Sequence, residues 1–310
     1  MSAETLPLGV GVQFAHAALQ VLADDHGIDL LHIKGPAVDA ALLDVREVGD
    51  PTLGESAGGD TLSVPVPRRS VDADVLVRPS HVDRLTEAMH RHQWTTLFRF
   101  EDGSAFEHAT TMSHPFLAMV DIHRRFPGIG GDAELAFERL WSERQTAVIA
   151  GQPCAVPSLT AQRLVLILHA TRAGALGHGD IRRSWTDATD GEREAVQALA
   201  EEVGAELALA AGTGRLHEYA GRPDYELWLA LSTREHAKPR VWLARVRAAP
   251  TKRAAARTAV RLLVPNPHRM EVGLGRRPTA RELARAYVDR GLWGARELVA
   301  MVRDRRGRKR

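Results

Sequence analysis

Asp72 and Asp74 stand two residues apart inside an otherwise apolar stretch, Arg69-Ser70-Val71-Asp72-Ala73-Asp74-Val75-Leu76-Val77. Its β-branched and aliphatic residues, closed by Pro79, read as a buried strand. Side chains two apart on a strand share a face, roughly 6–7 Å apart along it. That spacing suits two acids that converge on one divalent cation or share a pair of them. Val71, Ala73 and Val75 take the opposite face, where they can be buried. Two like charges so close repel each other, which is costly unless a metal or a cationic partner sits between them. The chemistry this predicts is metal-dependent nucleotidyl transfer. An exposed strand or loop would carry Asp-x-Asp with no such role.

Two further features fit the same chemistry. Asp121 interrupts a second apolar strand, Leu117-Ala118-Met119-Val120-Asp121-Ile122-His123, with His123 two residues on and on the same face. Beside the first strand it would complete a carboxylate trio. Two acids would hold the metal that grips the phosphates, and the third would share a second ion and deprotonate the attacking hydroxyl. The plain alternative is a strand-end Asp paired with Arg124 or Arg125. Lys34-Gly35 falls between a strand and a helix start, where free backbone N–H groups and a lysine charge suit an anion. An ordinary strand-to-helix turn would look the same. Arg68 and Arg69, just before the acids, either bind phosphate or neutralise the carboxylates.

The elements that must position these residues follow from periodicity and breakers. Val12–Ala23 has helical spacing, with Phe14, Ala17, Ala18, Val21 and Leu22 on one side and Gly27 as its stop. Asp29–Ile33 is a short strand, and Pro36 opens a helix to about Val45. From 46 to 67 the pattern is lost among Gly49, Pro51, Gly54, Gly58, Gly59, Pro65 and Pro67, which predicts a long mobile loop. A helix over His81–His92, capped by Ser80, precedes strands at Trp94–Phe100, Phe106–Met112 and Phe116–His123, the first two turning at Asp102-Gly103. Glu134–Glu143 is helical and Thr146–Val156 a hairpin turning at Gly151-Gln152. After Pro157 the chain reads as helices: Leu159–Ala173, Ile181–Ala188, Glu192–Ala211, Tyr225–Glu235, Arg240–Leu263, Ala280–Asp289 and Trp293–Asp304. Strands crowded into the first half predict a mixed sheet in an α+β domain. The expected division is a catalytic domain over 1–157, a helical region over 158–264 and a basic helical tail over 265–310.

Composition bounds the rest. The hydrophobic fraction is 44%, the charged fraction 26% and the aromatic fraction 5%, as in a soluble protein with an aliphatic, largely helical core. One cysteine, Cys154, excludes an internal disulfide framework and a cysteine-based zinc cluster. No signal peptide or membrane-spanning run is evident, so the expectation is a cytoplasmic protein without membrane contact. Net charge is only +2. From Lys238 onward, however, there are roughly four basic residues for each acidic one. The tail, ending Arg303-Asp304-Arg305-Arg306-Gly307-Arg308-Lys309-Arg310, suits a polyanion such as nucleic acid, or is simply a solvated helix end. Gly128-Ile129-Gly130-Gly131-Asp132 lacks a Walker lysine and reads as a loop ending in an Asp132 N-cap. His169, on an apolar helix, reads as a core residue.

Lys34-Gly35, the Arg69 to Val77 strand and Val120-Asp121-Ile122-His123 together resemble the uncharacterised bacterial nucleotidyltransferase family of the DNA-polymerase-β-like superfamily. Its pattern is a Lys-Gly turn, an Arg-x-x-Asp-x-Asp strand and an Asp-x-His strand. Ser158-Leu159-Thr160, the helix bearing His169, and Asp187 are similar to its helical portion. The resemblance covers about Leu30 to Ala188. It implies a small mixed β-sheet with flanking helices, followed by a helical C-terminal region. It also implies Mg²⁺, two ions in all, held by Asp72, Asp74 and Asp121, with Lys34, Gly35 and Arg69 toward the nucleotide. The implied reaction moves a nucleoside monophosphate from an NTP to an acceptor with release of pyrophosphate. Small molecule, peptide, protein and RNA all remain open as acceptor. Better-known relatives carry Gly-Ser where this chain has Lys34-Gly35, so Lys34 would replace the serine contact to phosphate. The gap from Gly35 to Asp72 is longer than is usual in the family. Two other readings stand beside transfer: a non-catalytic module binding nucleotide, nucleic acid or a partner, and a phosphodiesterase that directs water.

Overall fold

The computed structural model describes residues 6–49, 61–100, 108–233, 238–249 and 251–307. Helix α1 (Leu8–His26) ends at Gly27, whose φ of +59° places it in the left-handed region as a C-cap. Strand β1 (Leu30–Ile33) follows, then two one-turn 3₁₀ helices, Gly35–Ala37 and Ala40–Leu42. Strands β2 (Asp44–Gly49) and β3 (Thr61–Val66) pair with each other as an antiparallel ribbon. The main sheet takes β1, β4 (Asp72–Val77), β5 (Thr95–Phe98), β6 (Ala109–Ser113) and β7 (Met119–His123), with α2 (Val82–Arg91) after β4. Its strand order is β1-β4-β7-β6-β5. Only β4 and β7 run parallel; the other pairs are antiparallel, so the sheet is mixed.

Each face of the sheet has its own cover. Ala73, Val75 and Val77 of β4 pack with Val12, Ala15 and Leu19 of α1 and Leu85 and Met89 of α2. Leu76 joins Leu31 and Ile33 on the other face, in the larger core built with the helices that follow. Those are α3 (Ala133–Ser142), the hairpin β8 (Gln145–Ile149) and β9 (Gln152–Val156), α4 (Leu159–Arg172), α5 (Asp190–Glu202), α6 (Glu206–Gly212) and α7 (Tyr225–Ser232). Between α4 and α5 a short helical segment, Gly179–Ile181, runs into a π turn, Arg182–Thr186. Helix α8 (Lys238–Ala248) adds Val241 and Ala244 to the same core. Helices α9 (Lys252–Leu263), α10 (Pro267–Leu274) and α11 (Ala280–Gly307) end the chain. This is an α+β fold with a helical C-terminal region.

Helix α4 runs through the middle of the helical half. Ser158 caps it by accepting from the Ala161 N–H, and Leu164 to Leu168 are all buried. Gln162 and Arg163 are buried with them. Gln162 accepts from the Asp39 N–H and donates to the Pro157 carbonyl, while Arg163 donates to the Arg183 carbonyl and to Glu192. Asp132 caps α3 by accepting from the N–H groups of Glu134 and Leu135, as its sequence setting predicts.

Several expectations are corrected. The buried side of α1 carries Val12, Ala15, His16, Leu19, Gln20, Leu22 and Ala23; of the expected apolar side Leu22 is buried, whereas Phe14 and Val21 are exposed. The buried face is turned from the one hydrophobicity alone marks, because His16 and Gln20 find partners inside: His16 bonds His32, and Gln20 bonds Asp24, His32 and the Ala155 N–H. In place of the expected helix from Pro36 to Val45 there are the two 3₁₀ turns and then the start of β2. Part of the expected loop is the β2–β3 ribbon; its residues 50–60 lie outside the described residues. Asp102-Gly103 lies outside them too. Val71 is 61% exposed, before the strand begins, rather than buried. Ser80 does not cap α2 but bonds Glu134 through both its N–H and its hydroxyl. The predicted helix over Glu192–Ala211 is broken at Gly204, whose φ is +63°. The one over Arg240–Leu263 is also broken, and α9 restarts at an N-cap, Thr251. The two last predicted helices are one, α11.

Candidate active site

The register of two parallel strands assembles the site. β4 and β7 align Asp72 with Met119, Ala73 with Val120 and Asp74 with Asp121. Asp74 and Asp121 are therefore neighbours on one face, and His123 stands two residues beyond Asp121 on that face. Its Nε2 lies 2.9 Å from Asp74 Oδ1. Asp74, Asp121 and His123 each offer one ligand atom within 4.8 Å of the others. Asp121 is held from the next strand: β6 aligns Thr111 with it, and the Thr111 hydroxyl donates to its Oδ1 at 2.6 Å.

Electrostatics separates the first two acids. Asp74 is almost fully buried, and burial alone would keep it protonated. Lys34 and His123 outweigh that and hold its carboxyl well below the usual range; Lys34 Nζ is 2.5 Å from Asp74 Oδ1. Asp72 is half-buried and goes the other way, raised first by burial and then by repulsion from Asp74 and Asp121. Its hydrogen bond from the Ser70 hydroxyl, at 3.3 Å, offsets this only in part. A site that strains one carboxylate and grips the next with a lysine is short of positive charge. Clustered carboxylate oxygens are the donors a hard divalent cation such as Mg²⁺ prefers, so the residues fit the ion.

Lys34 and Gly35 adopt an uncommon backbone to reach this point. Both have positive φ, +65° and +54°. For lysine that costs about 1–2 kcal/mol, which surrounding contacts must hold in place. Gly35 faces a second restriction: a Cβ there would lie 3.2 Å from the Cβ of Ser70. The turn is thus pressed against the residue two before Asp72. It leads into three residues of 3₁₀ helix, not the α-helix N-terminus that the sequence predicts, so the lysine and the turn's own N–H groups are what it offers.

The structure brings together Asp72, Asp74, Asp121, Lys34 and Gly35. Arg69 is exposed, whereas Arg68 turns inward and donates to buried Asp180 at 2.7 Å. Three residues of the surroundings carried no site role in the sequence reading. His169 lies among Lys34, Arg172, Asp74 and Arg68, and burial, then those cations, push its imidazole down to about 3. Arg172, one turn later on α4, donates to His108 Nε2 at 2.8 Å. The His108 ring in turn lies 5.2 Å from that of His123. The i, i+3 spacing of His169 and Arg172 on an apolar helix was the available signal. Cys154 is fully buried and its thiol is pushed up to about 11 by burial, which removes it as a nucleophile.

Two solved structures are similar: the antibiotic-resistance factor ANT(2'')-Ia, and an antigenic nucleotidyltransferase-like protein from Paracoccidioides brasiliensis. The first is 16% identical, covers 69% of this chain and 97% of its own, and has a TM-score of 0.37. The second is 19% identical, covers 72% and 94%, and has a TM-score of 0.34. No curated protein matches. The model of a family described as uncharacterised nucleotidyltransferase matches residues 61–221, a stretch that includes Asp72, Asp74, Asp121 and His123 but not Lys34-Gly35. Since that is more than half of the chain, the chain belongs to this nucleotidyltransferase family.

Proposed function

We propose that the protein transfers a nucleoside monophosphate from an NTP to an acceptor and releases pyrophosphate, with Mg²⁺ held by Asp72, Asp74 and Asp121. The observation that carries this reading is the parallel register that sets Asp74 beside Asp121 with Asp72 at their edge. When bound, the ion supplies charge neutralisation at the phosphates and a lower pKa at the attacking oxygen. The acceptor oxygen forms a bond to the α-phosphorus, and the bond from that phosphorus to the bridging oxygen breaks. Its electron pair leaves with pyrophosphate. Asp121 takes the acceptor's proton, held in orientation by the Thr111 hydroxyl. His123 keeps Asp74 ionised and fixed in place. Lys34, which lies on Asp74 here, would be the partner for a phosphate oxygen of the bound nucleotide.

The test is Mg²⁺-dependent NTP binding by calorimetry, on the wild type and on Asp72→Asn/Asp74→Asn. Binding that needs both the ion and the acids is the expected result, and its base preference then guides an acceptor screen. A double variant that binds and turns over NTP like the wild type would sink the reading. Nucleotide products formed with no acceptor would instead identify a phosphodiesterase.

A further inference from the structure

Helix α1 has two apolar faces, and the sheet covers one of them. The outer face carries Val10, Phe14, Ala17 and Val21, which repeat at the interval of a coiled-coil seam. At 100° per residue these four fall within about 60° of one another. Phe14 and Val21 are 45% and 44% exposed, and Val10 is exposed with them. From Leu8 to Ala23 the exposed positions hold no charged residue, and Gln13 is the one exposed polar side chain among them. A helix that faces water ordinarily shows charges on that side. Along the stripe runs a groove of about 450 Å³, lined by Phe14, Ala17, Ala18 and Val21 together with Leu117 and Ala150.

The ends of α1 are charged the wrong way round for a helix on its own. It starts after Pro7 with no side-chain cap and no acid in its first turn, while Asp24 and Asp25 stand exposed in its last. The helix dipole favours anions at the first turn and disfavours them at the last. By helical spacing the two aspartates flank the Val10 to Val21 stripe, so whatever covers the stripe meets them as well. An antiparallel copy of the same helix suits both ends. With a two-fold axis between Ala17 and Ala18, Phe14 faces Val21 of the second copy and Ala17 faces its Ala18. Val10, in the uncapped first turn, then faces Asp25 of the second copy. The alanines let the two helices approach closely at the centre. A parallel copy would instead set the aspartates of both chains against each other.

We infer that the outer face of α1 is a self-association surface whose occupant is α1 of a second copy of this chain, packed antiparallel. Such an interface is isologous, with one patch supplying both sides and both charged ends. It does not depend on nucleotidyl transfer. Helix α1 lies on the sheet face that carries Ala73, Val75 and Val77, opposite the carboxylates, so both candidate sites stay open in the dimer.

Sedimentation equilibrium of the full chain at micromolar concentration is the test. The wild type is expected to dimerise, and Phe14→Glu to raise the dissociation constant roughly 30-fold or more, the effect of a central anchor. Phe14→Ala keeps the test open if the charged variant does not fold, which circular dichroism reports. Reversing both acids, Asp24→Lys with Asp25→Lys, should weaken the dimer about 3- to 10-fold, and less so at high salt. Orientation is read by crosslinking. Cys154 is fully buried, so an introduced cysteine is the accessible thiol. Chains carrying Val10→Cys mixed with chains carrying Asp25→Cys should join on oxidation, whereas Val10→Cys chains alone should not. A wild type that stays monomeric at tens of micromolar, or a dimer indifferent to both Phe14 variants, overturns the proposal. A disulfide formed by Val10→Cys alone, or a dimer tightened by the charge reversal, overturns the antiparallel pairing. A monomeric wild type whose groove is filled by another protein likewise overturns the choice of a second copy.

Discussion

Asp74 is where the local chemistry is most constrained, because three groups compete for one carboxylate. Lys34 and His123 both bond its Oδ1, so a divalent cation has to displace or share with the lysine. Lys34→Met should therefore tighten Mg²⁺ binding in the absence of nucleotide while slowing transfer. Without metal the same variant leaves a buried carboxylate short of charge, and it should lose roughly 3 kcal/mol of stability in urea melts. Saturating Mg²⁺ should restore most of that loss, since a ligand that binds only the folded state stabilises it. Equal Mg²⁺ affinities in the two proteins would count against the competition. Asp72 behaves oppositely, since repulsion from Asp74 and Asp121 disfavours its charge. Asp72→Asn should raise the stability of the metal-free protein, by less than about 1 kcal/mol because water screens a half-exposed group. It should also abolish Mg²⁺-dependent NTP binding. A variant that is less stable and fully active would refute both halves.

At the level of elements, the site depends on a strand pair and on a helix that packs tightly against its neighbour. A one-residue slip between β4 and β7 would put Asp121 on the opposite face from Asp74. The alternation of Ala73, Val75 and Val77 against α1 and α2 prevents that slip, since it would turn this apolar set toward the site. Helix α4 delivers His169 and Arg172, and its last turn lies against α6 at Gly212. A Cβ there would collide with Thr171 Oγ1 and stand 2.7 Å from a methyl of Ile167. Gly212→Ala is expected to cost about 1–3 kcal/mol through overpacking. Equilibrium denaturation reads the loss, and an unchanged melt would show that the helices separate freely.

Across the molecule, charge is divided. The carboxylates lie in the first half of the chain, while the stretch from α8 to the C-terminus is strongly basic. Helices α9 and α11 expose many of these residues, Lys252, Arg253, Arg257, Arg281 and Arg285 among them, without adding to the main core. A polyanion bound there would be held through counterion release, with an affinity that falls steeply as salt rises. A chain ending at Leu274 should keep the melting behaviour of the core and lose most of its salt-sensitive affinity for single-stranded RNA or heparin. Equal affinity in the long and short chains would leave the basic end as a solvated surface. Among the described residues no helix is long and apolar enough to cross a membrane.

Much of the candidate site was legible in the residue order itself. An acid interrupting an apolar strand is unusual enough to signal a function, and two acids two apart must share a face because the strand period is two; this singled out Asp72, Asp74 and Asp121. The α+β class followed from strands crowded before Pro157 and helices after it, since apolar periodicity is a local property. What the order could not show was partnership across the chain. Polar His16 and Gln20 read as the outer side of α1 until His32 and Ala155, far away in sequence, satisfied them inside. Lys34 read as free for an anion, yet tertiary packing set it on Asp74. Arg69 and Arg68 are indistinguishable as neighbours, and only buried Asp180, 112 positions from Arg68, decided which one turned inward. His169 and Arg172 were core-helix residues until α4 was laid across from the carboxylates. Periodicity is set by each residue's immediate neighbours, whereas burial, charge pairing and the choice of a buried partner depend on distances that exist only after the chain has folded.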